Sequence, residues 1–513
     1  MNQAQTVPGL ARVAAARWPT REAVVCGARR LSFADLDAAM AAASSRFVAA
    51  GLRPGERVAL WAPNSVDWII ACLGLQAAGG VLVPLNTRFR AGEAADILRR
   101  SGAAMAVAAT AFLGTDYAAQ IEAMQLPAMR RVFALPPDGM TDATAAVDGV
   151  ARAEAETRLS GLTEDGLSDI MFTSGTTGAP KGAMATHGQT VRTARLWADA
   201  TGIGEGDRFL ILWPFFHCAG YKAGWVVNLA VGATTLPEPV LEPESLLARV
   251  EAERVTFLPG PPTLFQTLLS MPARDPLALA SVRVSITGAA SVAPSLIEAI
   301  RANLGIPTVL TGYGLTESCG TATMSRKDDP PEIVATSCGR AIPGIEIICA
   351  DEAGRALPPG SAGEVLIRGQ NVMQGYLDDP AATAAAIDTA GWLHTGDIGV
   401  LDEAGYLRIT DRKKDMYITG GFNCYPAEIE KILLGHPAIQ QVAVTSMPDA
   451  RLGEVGCAHL VLKPGCNLTE AALISWSRDQ MANYKVPRAV RVLAELPLNA
   501  TGKVQKFKLM QPA

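Results

Sequence analysis

No run of about 18 uninterrupted apolar residues occurs in the chain, so no membrane-spanning helix is expected, although 49% of its 513 residues are hydrophobic and its mean hydropathy is +0.19. The opening MNQAQTVPGLARVAAARWPT lacks the apolar core of a secretory signal. The closing MQPA carries no lipidation or peroxisomal signal. None of the nine cysteines is spaced as C-x-x-C, which excludes a zinc knuckle and a disulfide framework and points to a reducing cytoplasm. A formal charge of −5 gives no support to nucleic-acid binding. The charge is unevenly spread. From Asp411 onward 13 Lys and Arg face 9 Asp and Glu, a net of +4, so the rest carries −9. That tail could meet an anionic ligand, and it equally fits an ordinary solvated surface. No short-period repeat appears.

Length implies more than one domain, since single cores stop growing near roughly 250–300 residues. Short β-rich runs alternate with alanine-rich amphipathic stretches. RVALWAP reads as a strand, SVDWIIACLGLQAAG as a helix and VLVPLN as the next strand; VRVSITGAA, SLIEAIRANLG and IPTVLTGYG repeat the pattern. Such alternation predicts an α/β fold of helix-covered, mostly parallel sheets, with ligands at the carboxyl ends of the strands. Gly288–Ala290 and Gly312–Gly314 directly follow predicted strands and mark a candidate site. Residues 136–164, rich in Ala, Asp and Gly, read as a surface connection. A second break falls in ITDRKKDMYITGGFN, and YPAEIEKILLGHP after it reads as a helix. The expected organisation is therefore an N-terminal domain over 1–410, a hinge at 411–415 and a small α+β domain over 416–513.

Five short segments can carry chemistry. TSGTTGAPKG, residues 173–182, offers hydroxyls at Thr173, Ser174, Thr176 and Thr177, glycines at Gly175, Gly178 and Gly182, and the cation Lys181. Next to the predicted strand SDIMF this suits a phosphate cradle, though a polar turn has the same composition. It is not the usual nucleotide loop, because Ala179 and Pro180 precede Lys181 and Gly182 stands where Ser or Thr is needed. In TGYGLTE, Tyr313 can lie against a base, Thr316 can donate to a phosphate and Glu317 can hold Mg2+. Asp397 in HTGDIG and Arg412 in DRKKD could serve ribose hydroxyls. Lys503, in a loop ten residues from the end of the sequence, completes the set. Taken singly, these residues fit ordinary turns and surface charges.

Their order is more telling. A Gly/Thr-rich loop, then YGxTE, TGD, R-x-K-D followed by Gly-Gly, and a late GK closely resembles the acyl-adenylate-forming superfamily of acyl-CoA synthetases, luciferases and peptide-synthetase adenylation domains. The resemblance runs from LSFADLDAAM to Lys503. It implies a large domain, with a small β-barrel-like subdomain, that binds ATP and a carboxylic acid, and a mobile C-terminal domain. It implies ATP, Mg2+ and CoA as cofactors and two steps: acyl-AMP and pyrophosphate form, and a thiol then displaces AMP. Residues 173–182 would cradle the β- and γ-phosphates. Gly288, Ala289, Ala290, Tyr313 and Gly314 would flank the adenine. Thr316 would contact the α-phosphate, Glu317 would hold the metal, and Asp397 and Arg412 would grip the ribose. Lys503 would be the adenylation lysine, Lys414 the hinge pivot, and Gly420 and Gly421 the pantetheine path.

WPFFHCAGYKAG resembles the family's aromatic–histidine segment, which places His217 where the carboxylate enters and Phe215 and Phe216 in the wall. No aspartate lies between Trp213 and Gly224, so an amino acid substrate is not expected; a carrier domain after Lys503 is not expected either, and free CoA is the expected acceptor. The remaining pocket candidates are Gly220, Tyr221, Pro259, Gly260, Thr287, Gly288, Cys319 and Gly320, a mixture suited to a medium-sized apolar acid. The segments look most like bacterial fatty-acid-type ligases, in particular those for propanoate side chains of partly degraded steroid rings. Lys222 reads as a surface lysine, with contact to a substrate ketone as the other reading. An aryl acid ligase, a luciferase-like oxygenase and a non-catalytic nucleotide-binding protein remain as alternatives. The sequence does not give the oligomeric state and is compatible with a homodimer.

Overall fold

The structure is a computed structural model that describes the chain except residues 1–3, 137–148, 174–179, 241, 272–278, 288–293, 413–414, 416, 420–421, 425, 450, 482, 499–503 and 511–513, and describes only the backbone of 411, 412, 418, 422 and 423. The chain divides into two compact units, 1–347 with 367–393, and 348–366 with 394–513.

Two seven-stranded sheets dominate the larger unit. The first runs, in spatial order, Gly375–Tyr376, Lys181–Thr186, Leu167–Thr173, Val81–Pro84, Arg57–Trp61, Met105–Ala109 and Arg131–Leu135. Its last five strands are parallel, and its first two are added antiparallel. The second runs Thr308–Leu310, Val284–Ile286, Phe257–Pro259, Arg208–Ile211, Thr234–Pro237, Glu22–Cys26 and Arg29–Ser32. Only its last strand is antiparallel. Fully buried runs such as VLVP and MAVAA are what a parallel strand covered on both faces requires.

The helices start and stop on local chemistry. Ser65 caps Val66–Ala77 through its hydroxyl, which accepts from Trp68 N at 3.1 Å. This helix is buried on every face, so it lies inside the protein rather than over it. Phe33–Ala49 begins with a Ser32–Asp35 capping box. The stretch expected to be a bare surface connection contains a helix, Gly149–Gly161. Its Ala151 and Ala155 are buried where it packs on Phe33–Ala49. Two alanines four apart give too weak an apolar stripe to stand out in so polar a segment.

A four-stranded sheet, Ile345–Ala350, Ala362–Gly369, Leu393–Leu401 and Leu407–Arg412, supplies the expected smaller β subdomain. In the smaller unit, the sheet of Phe422–Cys424, Tyr417–Thr419, Gly453–Leu462 and Ile439–Asp449 is joined by the parallel strand Ala489–Val492. Pro426–Leu433 and Glu470–Gln480 are its longer helices. Its core includes Tyr417, Ile429, Leu433, Val444, Leu460 and Leu473.

Candidate active site

The antiparallel hairpin of the first sheet pairs Thr173 with Lys181 and so closes the Gly/Thr-rich loop at its base. Thr173 is half-buried and Lys181 exposed. Ser174, Gly175, Thr176, Thr177 and Gly178 lie outside the described residues, as do Gly288, Ala289, Ala290, Lys414, Gly420, Gly421 and Lys503.

The short strand Gly375–Tyr376 pairs with the hairpin, Tyr376 opposite Ala183. This places Tyr376 between two predicted site residues. Its hydroxyl donates to Glu317 Oε1 at 2.8 Å, and the Lys181 ammonium lies 5.1 Å from its ring centroid. Burial, then the Glu317 carboxylate, pushes the Tyr376 hydroxyl above its usual range, so it stays protonated and donating. A second tie runs from Met373 N to Glu317 O at 2.8 Å. Nothing in the sequence marked Tyr376, because its partners lie 59 residues away in Glu317 and in a hairpin far earlier in the chain.

Glu317 occupies a single 3₁₀ turn, Thr316–Ser318, after the short strand Gly312–Tyr313. Tyr313, Thr316 and Glu317 are half-buried, which leaves them accessible to a ligand. The turn is tight. A Cβ at Gly314 would lie 2.5 Å from the Gly320 carbonyl carbon, and Cys319 holds a left-handed φ of 53°. Among the described residues no group of three or more His, Cys, Asp or Glu could hold a metal. A single carboxylate, tied through Tyr376 to the base of the Gly/Thr-rich hairpin, suits Mg2+ carried largely by phosphates and water rather than an all-protein cage.

The aromatic–histidine segment follows Arg208–Ile211 of the second sheet. Phe215 is buried, Phe216 half-buried and His217 exposed. His217 Nδ1 accepts from Ala219 N at 3.2 Å. Only glycine fits at position 220, where a Cβ would lie 2.3 Å from Pro214 O. Gly320 packs on Cys218, its would-be Cβ 3.1 Å from Cys218 Sγ. This joins the two halves of the expected pocket, Cys218–Tyr221 and Cys319–Gly320. The carboxyl ends of the parallel strands lie side by side: Gly260 N donates to Ile286 O and Thr287 N to Leu310 O, both at 2.9 Å. Pro259, Gly260 and Thr287 are buried there, and the Thr287 hydroxyl has no hydrogen-bond partner among the described residues.

Asn64 ties the segment to the first sheet. Its side-chain NH2 donates to Trp213 O at 2.9 Å and Glu238 O at 3.1 Å, and its oxygen accepts from Phe215 N at 2.7 Å. Separations of 149 to 174 residues hid this role from the sequence.

Lys222 corrects an expectation. It is 1% exposed, not a surface residue. Its Nζ lies 2.9 Å from Asp169 Oδ1, and Asp169 belongs to the first sheet and is 0% exposed. Burial disfavours the ammonium, but the Asp169 charge and hydrogen bond outweigh it and the lysine pKa rises. Asp169 Oδ2 accepts from Ser168 Oγ at 2.6 Å. Apolar neighbours disguised Lys222 in the sequence, and its partner stands far earlier in the chain, in a strand of the first sheet.

In the smaller unit, Asp397 and Arg412 face each other across antiparallel strands. Asp397 is 4% exposed. The structure thus pairs the backbones of the two residues expected at the ribose.

The AMP-binding enzyme family matches residues 11–377, and the AMP-binding enzyme C-terminal domain matches 428–503. The chain belongs to this family. It is 46% identical over 514 aligned positions, covering 100% of this chain and 99% of the relative, to a Mycobacterium tuberculosis protein named 3-[(3aS,4S,7aS)-7a-methyl-1,5-dioxo-octahydro-1H-inden-4-yl]propanoyl:CoA ligase. ATP-bound MatB from Rhodopseudomonas palustris superposes with a TM-score of 0.89 at 31% identity, covering 98% of each chain. The Bacillus subtilis O-succinylbenzoate CoA synthetase MenE, in complex with ATP and magnesium ion, gives 0.85 at 28%, again covering 98% of each. Class and fold agree: this is an ATP-binding, AMP-forming acid–thiol ligase built as those enzymes are. No helix among the described residues is long and apolar enough to cross a membrane.

Proposed function

We propose that the protein joins a bicyclic, steroid-ring-derived propanoate to CoA at the expense of ATP. The observation that carries this reading is the 46% identity, across the whole chain, to the M. tuberculosis ligase for the dioxo-octahydroindenyl propanoate. Among the wall candidates, Phe216 and Gly320 are half-buried and His217 is exposed, so these can meet an acid, whereas Phe215, Tyr221 and Cys319 are fully buried apolar core.

In the first step the carboxylate attacks the α-phosphate and pyrophosphate leaves. Two anions must meet, so the step needs positive charge and positioning more than acid–base work. Thr173–Gly182 holds the β- and γ-phosphates, and Lys181 at the base of the hairpin supplies a cation. Tyr313, Gly314 and Gly288–Ala290 flank the adenine, Thr316 donates to the α-phosphate, and Asp397 and Arg412 hold the ribose. Glu317, oriented by Tyr376, is the residue that would hold Mg2+, whose charge offsets that of the phosphates. Lys503 bridges the carboxylate and the α-phosphate, a contribution of ~3–4 kcal/mol for a well-placed charge. In the second step the CoA thiol displaces AMP along Gly420 and Gly421. The thiol must occupy the place of Lys503, so the domain from 416 onward turns about Lys414. The cytoplasm is the proposed site of action, and nine free thiols suit its reducing conditions.

Incubating the enzyme with ATP, CoA and a panel of bicyclic, fatty and aryl acids, with thioesters read by mass spectrometry, tests the substrate. Preference for a fatty or aryl acid would overturn the bicyclic assignment. For the lysine, Lys503→Ala is expected to abolish pyrophosphate exchange yet retain thioester formation from supplied acyl-AMP. Equal loss of both half-reactions would remove the role given to it.

A further inference from the structure

The bicyclic acid carries two ring ketones on an otherwise hydrocarbon skeleton. A pocket of apolar wall alone leaves those carbonyls without the partners they had in water, a loss that selects against the oxo acid. Among the described pocket candidates and their neighbours, Lys222 is the buried cation. It directly follows Tyr221, in a segment where the chain is kinked between two helices at Gly224 (φ −114°, ψ −110°).

Among the described residues the ammonium is incompletely partnered. A lysine has three N–H donors. Lys222 has Asp169 Oδ1 at 2.9 Å and, as its other contact, the Cys319 thiol at 3.8 Å. Sulfur is a weak acceptor. Cys319 immediately precedes Gly320, whose backbone lies on Cys218 beside His217. The ammonium therefore stands directly behind the surface where the two halves of the pocket meet. Water has almost no access to it at 1% exposure, and in such surroundings a hydrogen bond to a carbonyl is strengthened.

Asp169 holds the charge in place. Its other oxygen is bound by Ser168, whose backbone carbonyl accepts from Gln76 Nε2 at 2.9 Å; Gln76 also reaches the Tyr221 hydroxyl at 2.8 Å. The donor is thus fixed to the first sheet while its backbone lies in the helical connection between Arg208–Ile211 and Thr234–Pro237 of the second.

We propose that Lys222, positioned by Asp169, is the ketone-recognition residue of the acyl pocket: its ammonium exchanges the thiol contact to Cys319 for a hydrogen bond to a ring carbonyl oxygen of the acid. This rests on the bicyclic substrate reading above. It makes Lys222 a determinant of selectivity between oxo and deoxo acids, outside the chemistry at phosphorus.

The test compares two acids with the same ring and propanoate arm, one with the ketones and one without. The enzymes are the wild type, Lys222→Met, and Lys222→Met combined with Asp169→Asn. The double variant matters because removing the lysine alone strands a buried carboxylate and can unfold the chain. The readout is the oxo-to-deoxo ratio of kcat/KM for thioester formation, with thermal unfolding as a check on folding. A hydrogen bond from a charged donor predicts that the ratio falls about 10- to 100-fold in the double variant. A purely structural role would lower both acids alike and leave the ratio where it was, which would overturn the proposal. So would a wild type that takes both ring acids equally well. A wild type that ligates straight-chain acids but neither ring acid would instead overturn the substrate reading, and this inference with it.

Discussion

The two seven-stranded sheets of the larger unit share a plan yet meet different demands. The first ends in an antiparallel hairpin with a further two-residue strand on its edge. The second is parallel from Thr308–Leu310 through Glu22–Cys26. A hairpin holds its closing residues, Thr173 and Lys181, opposite each other, which suits the proposed phosphate cradle. A parallel edge sends successive strand ends to one side, and there the second sheet aligns Pro259–Gly260, Thr287 and the turn to Glu317. On the function proposed above, the phosphates and the acid fall to separate sheets. Three polar ties set the distance between them: Asn64 to the 213–215 backbone, Asp169 to Lys222, and Tyr376 to Glu317.

That division can be broken on either side. The largest effect is expected from Gly314→Ala, because the added methyl would lie 2.5 Å from the Gly320 backbone. The turn carrying Thr316 and Glu317 must then shift, and misplacement by about 1 Å costs on the order of 10²-fold in rate. Pyrophosphate exchange is expected to drop by at least that factor while the chain still unfolds cooperatively. Exchange within twofold of wild type would show that the turn need not be held.

Asn64→Ala should act on stability before chemistry. It strands Phe215 N, which is buried, and removes the donors to Trp213 and Glu238. Unfolding by urea is expected to lose about 2–3 kcal/mol. The KM for the acid should rise more than that for ATP, because the loop it anchors belongs to the acid's side. Equal rises would mean that the tie serves both sheets alike.

Tyr376→Phe should be mildest. One hydrogen bond to a half-buried carboxylate is lost, worth about 1–2 kcal/mol. The Mg2+ concentration giving half-maximal activity is expected to rise roughly three- to tenfold. An unchanged Mg2+ requirement would mean that Glu317 is oriented without Tyr376.

Patterns that repeat along the chain were readable in advance. Alternating strand and helix predicted helix-covered parallel sheets, and RVALW, VLVP and the helix after Ser65 fall where periodicity put them. The order of short motifs announced an adenylate-forming enzyme before any contact was known. Local capping, turn glycines and consecutive donor-rich loops leave their mark within a few residues, because the forces that shape them act over a few residues.

Whatever depends on distant partners was hidden. The helix at 149–161 is stabilised by a neighbour more than a hundred residues earlier, and its own two buried alanines are a faint signal. Tyr376 and Asn64 are ordinary polar residues until folding brings Glu317 and residues 213–215 to them. By itself, the sequence determined the class of fold and the chemistry at phosphorus, since backbone periodicity and phosphate-binding loops are written locally. Tertiary structure alone decided that Lys222 is a buried, Asp169-paired cation. A buried charge is tolerated when an opposite charge pairs with it, and the meeting of a helical segment with a distant strand has no trace in the residues flanking either one.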